Sequence, residues 1–153
     1  MRALISTYDK TGLDVFATGL AELDFELVAS GGTADFLDGL GLDVTRVEDV
    51  TRFPEMLGGR VKTLHPRIHA GILARRDDAG DAATLDEHEI EPFDLVCINL
   101  YPFEQVASQR GVTEAQAVEM IDVGGPSMLR GAAKNFAHVA PVCRPERYGF
   151  VLD

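Results

Sequence analysis

Five short stretches of this chain gather residue types that can hold an anion or move a proton. Ser30-Gly31-Gly32-Thr33 follows an apolar run and precedes helical periodicity. Its backbone N–H groups and two hydroxyls would then converge where a helix N-terminus favours negative charge. A phosphate fits such a turn, and so does a plain tight connection. No Gly-Lys-Ser or Gly-Lys-Thr follows as in a nucleoside triphosphate loop, and the third glycine of a dinucleotide fingerprint is missing, so an NTPase or dehydrogenase is disfavoured. Asp9-Lys10-Thr11 stands just after the first apolar run, where Lys10 can reach the same anion or simply follow a helix cap into solvent.

Gly58-Gly59-Arg60-Val61-Lys62-Thr63-Leu64-His65-Pro66 places two cations, a hydroxyl and an imidazole in one short loop. In an extended stretch Arg60 and Lys62 share a side, an arrangement suited to an anionic substrate. His65 and His69 are four apart, but Pro66 between them argues against a regular helix and no clear carboxylate ligand accompanies them, so no metal is expected. Asn99 and Tyr101 emerge at the end of the most hydrophobic run, Tyr101 either at a ligand or as a plug of the core rim. Asp122 lies beside Gly124-Gly125-Pro126 and twelve residues before Lys134. A carboxylate and an amine sharing one partly desolvated cleft can exchange protons with a substrate; a helix cap and a surface lysine are the plainer alternative.

The elements that must position these groups follow from periodicity. Apolar or β-branched runs recur at Ala3 to Ser6, Glu26 to Ala29, Leu95 to Leu100 and Val139 to Cys143 with helical patterns between them, which predicts an α/β domain with a mainly parallel sheet. Helices are expected over Thr11 to Leu23, Ala34 to Leu40, from the capping box at Thr113 onward, and from Pro126 to about Asn135. Thr51 to Arg76 reads as an irregular loop with short helices, and Asp77 to Glu91 as a solvated acidic helix with its connections.

The bulk numbers bound the rest. A chain of 153 residues, 46% hydrophobic, suits one domain spanning 1–153. Twenty-five acidic residues against 14 basic oppose binding to nucleic acid or an anionic membrane. Lacking a long apolar run and a signal-like N-terminus, the chain is expected in the cytoplasm. Cys97 and Cys143 read as buried small hydrophobes. Only Lys10, Lys62 and Lys134 represent lysine, and the Asp-rich, Lys-poor balance suggests a surface adapted to high salt. Scarce lysines are the better candidates for a chemical role.

In order along the chain, Asp9-Lys10-Thr11-Gly12-Leu13, Ser30-Gly31-Gly32-Thr33, Gly59 to Pro66, Asn99-Leu100-Tyr101-Pro102-Phe103, Ile121 to Ser127 and Ala132-Ala133-Lys134-Asn135 resemble the cyclohydrolase domain of bifunctional purine biosynthesis proteins. The resemblance implies a three-layer α/β/α methylglyoxal synthase-like fold and ring closure of formylaminoimidazole carboxamide ribotide to inosine monophosphate, without a cofactor because nothing is oxidised. It implies Lys62, Tyr101, Asp122 and Lys134 as catalytic residues, with Lys134 donating to the formyl oxygen and Asp122 receiving the amide proton. Tyr101 and Lys62 would orient the base and stabilise developing charge. For nucleotide binding it implies Tyr8, Asp9, Lys10, Ser30, Gly31, Gly32, Thr33, Arg60, Val61, Lys62, Thr63, Ile98, Asn99, Asp122 and Val123, with Gly124 and Gly125 beside them. Tyr8 stands where that family often has a small residue. Family members commonly continue into a formyltransferase domain; the sequence stops at Asp153, so formyl transfer is not expected, and a homodimer or a separate formyltransferase partner is left open. A methylglyoxal synthase and a non-catalytic nucleotide-sensing domain are the competing readings.

Overall fold

The computed structural model describes residues 1–153. In chain order it contains β1 (Arg2–Thr7), α1 (Leu13–Glu22), β2 (Glu26–Ala29), α2 (Gly31–Gly39), β3 (Val44–Arg46), α3 (Val47–Thr51), α4 (Pro66–Leu73) and α5 (Ala79–Glu87). It continues with β4 (Leu95–Asn99), α6 (Phe103–Ala107), α7 (Glu114–Glu119), α8 (Gly124–Lys134), β5 (Ala140–Val142) and α9 (Tyr148–Leu152). Short 3-10 turns occupy Leu57–Gly59 and Pro145–Arg147.

The five strands form one sheet in the order β3-β2-β1-β4-β5, and every pairing is parallel. Parallel strands need helical crossovers, and covering both faces buries each strand on both sides, which is why β1 and β4 read as nearly continuous apolar runs. Side chains alternate between the two cores. Ala3, Ile5, Leu27, Ala29, Leu95 and Cys97 face α1, α2 and Tyr148 of α9. Leu4, Val28, Val96 and Ile98 face Val47 of α3, Ile68 and Ile72 of α4, and Met128 and Ala132 of α8. Helices on both faces of the sheet make the expected three layers. The chain runs outward from β1 in one direction to β2 and β3 and in the other to β4 and β5. The crevice between the carboxyl ends of β1 and β4 is therefore the switch point at which open α/β sheets bind ligands.

Several sequence-based expectations need correction. A fifth strand, β3, was not expected; it is three residues long and only half-buried, too short for alternation to show. Pro66 does not prevent a helix but opens α4, because the first helical position needs no N–H. His65 is that helix's cap, its Nδ1 accepting from the Arg67 N–H at 3.2 Å. Helix α2 begins at Gly31, not Ala34, and α1 begins at Leu13, two residues later than expected and one residue short of Leu23. Cys97 is buried, as expected, whereas Cys143 lies just beyond β5 and is exposed. Helix α5 is solvated, with Leu85 its one buried residue. No helix is long and apolar enough to cross a membrane.

Candidate active site

A cavity of about 860 Å³ opens at the carboxyl ends of β1 and β4, within the range of small-molecule sites. Four segments wall it. The loop after β1 supplies Tyr8 and Lys10, the β2–α2 junction supplies Ser30 to Thr33, the loop before α4 supplies Arg60, Lys62 and Thr63, and the start of α8 supplies Asp122 to Gly125. Asn99 and Tyr101, from the end of β4, complete it.

The β1 loop is fixed by Asn99. Its Oδ1 accepts from the backbone N–H of Tyr8 at 2.7 Å and of Asp9 at 2.9 Å, and its Nδ2 donates to the Asp9 carbonyl at 2.7 Å. Asn99 is thus a staple between the two central strands as well as a wall residue. The Lys10 ammonium is turned back into the crevice and donates to the Thr7 carbonyl at 3.2 Å. Asp9 points elsewhere: its Oδ1 accepts from the hydroxyl and N–H of Thr11, which hold the carboxyl below the usual carboxylate range.

At the β2–α2 junction the two hydroxyls do not converge as expected. Thr33 Oγ1 accepts from the Thr7 N–H and donates to the Thr7 carbonyl, both at 3.1 Å, so it ties α2 to β1 and is spent on the fold. Ser30 is buried and lines the cavity. Gly31 adopts φ +51°, in the left-handed region that favours glycine, and any Cβ there would lie 3.0 Å from Lys62 Nζ. The glycine is what lets that ammonium reach the helix N-terminus.

Arg60 and Lys62 do face one cavity, by way of turns and not by the extended geometry expected. Each meets a carboxylate that sequence reasoning had not selected. Arg60 forms a two-pronged pair with Glu119 of α7, at 2.7 and 3.2 Å, largely in solvent. Lys62, only 16% exposed, pairs with Glu55 Oε2 at 2.6 Å. Asp122 fits the plainer helix-start reading, its Oδ1 accepting from the Gly125 N–H at 2.8 Å to secure the first turn of α8, and the residue also lines the cavity. The two apposed glycines leave room for it, since a Cβ on Gly125 would collide with the Asp122 carboxylate and one on Gly124 with Thr63 Oγ1. At the rim the Tyr8 and Tyr101 rings meet edge to face, centroids 5.2 Å apart, both about half exposed.

Four expected residues are not in the wall. Asp9 touches the site only through its backbone, Val61 sits behind Lys62, and Ile98 is buried in the core beneath β4. Lys134 does not share a cleft with Asp122. It is exposed in the last turn of α8, and eleven residues at about 1.5 Å each carry it roughly 15 Å along the helix, away from the carboxyl ends of the strands. There its charge complements the helix C-terminus. Nowhere do three or more His, Cys, Asp or Glu side chains form a group that could hold a metal ion. Sequence reasoning also missed the apolar lip formed by Leu57, Val118 and Ile121, exposed residues whose only signal is being too hydrophobic for solvent.

The same architecture recurs among known proteins. A family model described as MGS-like domain matches residues 12–127. The bifunctional purine biosynthesis protein PurH of Pediococcus pentosaceus is 58% identical over 150 residues, covering 98% of this chain and 29% of the relative. The protein of the same name from a Cyanothece species is 59% identical over 148 residues, 96% of this chain and 29% of the relative. The chain thus spans about 30% of the length of the curated relatives it matches. A solved structure titled "Crystal structure of ForH" is 42% identical, superposes with a TM-score of 0.90, and is matched over 99% of this chain and 76% of that one. By sequence over most of its length and by the arrangement of its sheet, the chain belongs to the MGS-like domain family.

Proposed function

We propose that this domain is an inosine monophosphate cyclohydrolase, closing the pyrimidine ring of formylaminoimidazole carboxamide ribotide with loss of water. The observation that carries the reading is the convergence of Lys10, Arg60, Lys62, Tyr101 and Asp122 on one cavity beside the Ser30–Gly31 helix N-terminus. The names of the relatives, purine biosynthesis proteins, point to the same substrate class.

In this reading the ribotide phosphate lies against the first turn of α2, where free N–H groups, the Ser30 hydroxyl and Lys10 meet it. The imidazole then extends toward Tyr101, Asp122 and Lys62. Ring closure joins the carboxamide nitrogen to the formyl carbon. That nitrogen gives up one proton, the formamide nitrogen gives up another, and the former formyl oxygen leaves with both as water. Asp122, with one oxygen held by Gly125 N–H and the other free, accepts the proton from the attacking nitrogen. Lys62 stabilises the oxygen as it gains charge and supplies its proton, because Lys134 does not reach the cavity from its own chain. Tyr101 holds the base in the rotamer that brings the reacting atoms together; since the reaction is intramolecular, that restriction is a large part of the acceleration. The PurH relatives extend well beyond this domain, and a formyltransferase unit, fused or separate, is the partner that would supply the formylated ribotide.

The test is to incubate purified protein with the formylated ribotide and follow the ultraviolet change of ring closure. Turnover is expected, with Lys62→Ala reducing kcat on the order of 100-fold. Binding without turnover would make this a nucleotide sensor, and turnover of dihydroxyacetone phosphate in its place a methylglyoxal synthase. Lys134→Ala should leave nucleotide affinity within about twofold, a direct calorimetric check on its position outside the cavity.

A further inference from the structure

A carboxylate close behind a cavity meant for an anionic substrate opposes that substrate unless it does something else. Glu55 is such a group: it lies outside the cavity wall and contacts it through the Lys62 ammonium, at 2.6 Å. The contact is built in from both sides by glycines in left-handed conformations. Gly59, at φ +89°, lies so close that a Cβ would sit 3.0 Å from Glu55 Oε1 and 3.5 Å from Lys62 Cε. Gly31, at φ +51°, brings the α2 N-terminus to the same ammonium. Lys62 is thereby held between a carboxylate behind it and the N-terminus of α2 in front. A lysine has four rotatable bonds and loses considerable freedom when ordered, so an ammonium aimed at one substrate atom needs an anchor.

We propose that Glu55 is a positioning residue of this active site: it fixes the Lys62 ammonium toward the reacting end of the substrate without touching the substrate itself. The proposal rests on the cyclohydrolase reading for its kinetic consequence, but not for the ion pair. A second role, as a place-holder that the substrate must displace, makes the opposite kinetic prediction.

Both parts are accessible because the chain has only three lysines. Reductive methylation with 13C-formaldehyde labels Lys10, Lys62, Lys134 and the N-terminal amine, and loss of one signal in Lys62→Arg assigns Lys62. In the otherwise unsubstituted protein the Lys62 methyl signal should stand apart from that of exposed Lys134, and Glu55→Gln should move it toward the Lys134 position. Coincident Lys62 and Lys134 signals before substitution would overturn the proposal whether or not the protein turns over ribotide. In the ring-closure assay, Glu55→Gln should lower kcat at least tenfold with KM changed less than threefold, at an unchanged melting temperature. Glu55→Asp should recover part of the loss. An unchanged kcat, or a KM that falls while kcat holds, would overturn the positioning role even with the cyclohydrolase reading intact; absence of turnover by the unsubstituted protein would instead sink that reading, leaving the methyl signals to decide the pair.

Discussion

Behind the loop that carries Arg60 and Lys62 lies a residue whose protonation the fold opposes. His69, in the second turn of α4, is half-buried, and its Nε2 is buried with no partner. Burial pushes its imidazole below the ordinary value of 6.5, against a smaller opposing contribution from a hydrogen bond with the Thr63 backbone. The sign follows from proton binding. Below pH 6.5 the unfolded chain takes up a proton at this position that the folded chain resists, so the stability contributed here is complete above 6.5 and is lost as pH falls toward the lower folded value. Melting temperature should therefore decline as pH falls below about 6.5, and His69→Phe or His69→Gln should flatten that decline. A two-dimensional NMR titration placing His69 at or above 6.5 would contradict this account.

At the level of elements, α8 is the part where structure and chemistry share one side chain. Asp122 secures the first turn of that helix through Gly125 and, in the proposed reaction, also accepts the proton of the attacking nitrogen; the two duties separate by substitution. Asp122→Ala should cost roughly 1 kcal/mol of stability, read by urea denaturation, together with turnover. Asp122→Asn keeps an acceptor for the Gly125 N–H and should stay within about 0.5 kcal/mol of the parent, yet it accepts no proton and should lose turnover equally. Parallel losses of stability and activity in both variants would make Asp122 structural. The same helix shows what could and could not be seen in the sequence. Pro126 after two glycines announced a helix start, and the core-facing runs of β1, β2 and β4 announced a parallel sheet, because both signals are local. The separation of Asp122 from Lys134 was not local: twelve residues read as nearness in the chain until α8 proved straight enough to carry Lys134 away from the carboxyl ends of the strands. Glu55 and Glu119 were invisible for the complementary reason. They are acidic residues among 25, and only the tertiary fold sets them against Arg60 and Lys62.

For the whole molecule, charge is the organising fact. The chain carries 25 acidic and 14 basic residues, whereas the cavity wall reverses the balance with Lys10, Arg60 and Lys62 against Glu119 and Asp122. The body therefore repels itself while the site attracts an anion, and salt acts on the two in opposite directions. Raising ionic strength from 0.1 to 1 M shortens the screening length from about 10 to about 3 Å. The many exposed pairs, such as Arg52 with Glu89 and Arg46 with Asp35 and Asp38, weaken as well, but solvent already screens them and each contributes little. Self-repulsion at a net charge of −11 acts over the entire surface and outweighs them. Calorimetry in 0.1 and 1 M KCl should thus show a melting temperature several degrees higher at high salt, while KM for the phosphorylated substrate rises several-fold because its attraction to the cavity is screened. A melting temperature that fell with salt would mean that the local pairs dominate, and the thinning of lysine from this surface would then have no basis in adaptation to a saline environment.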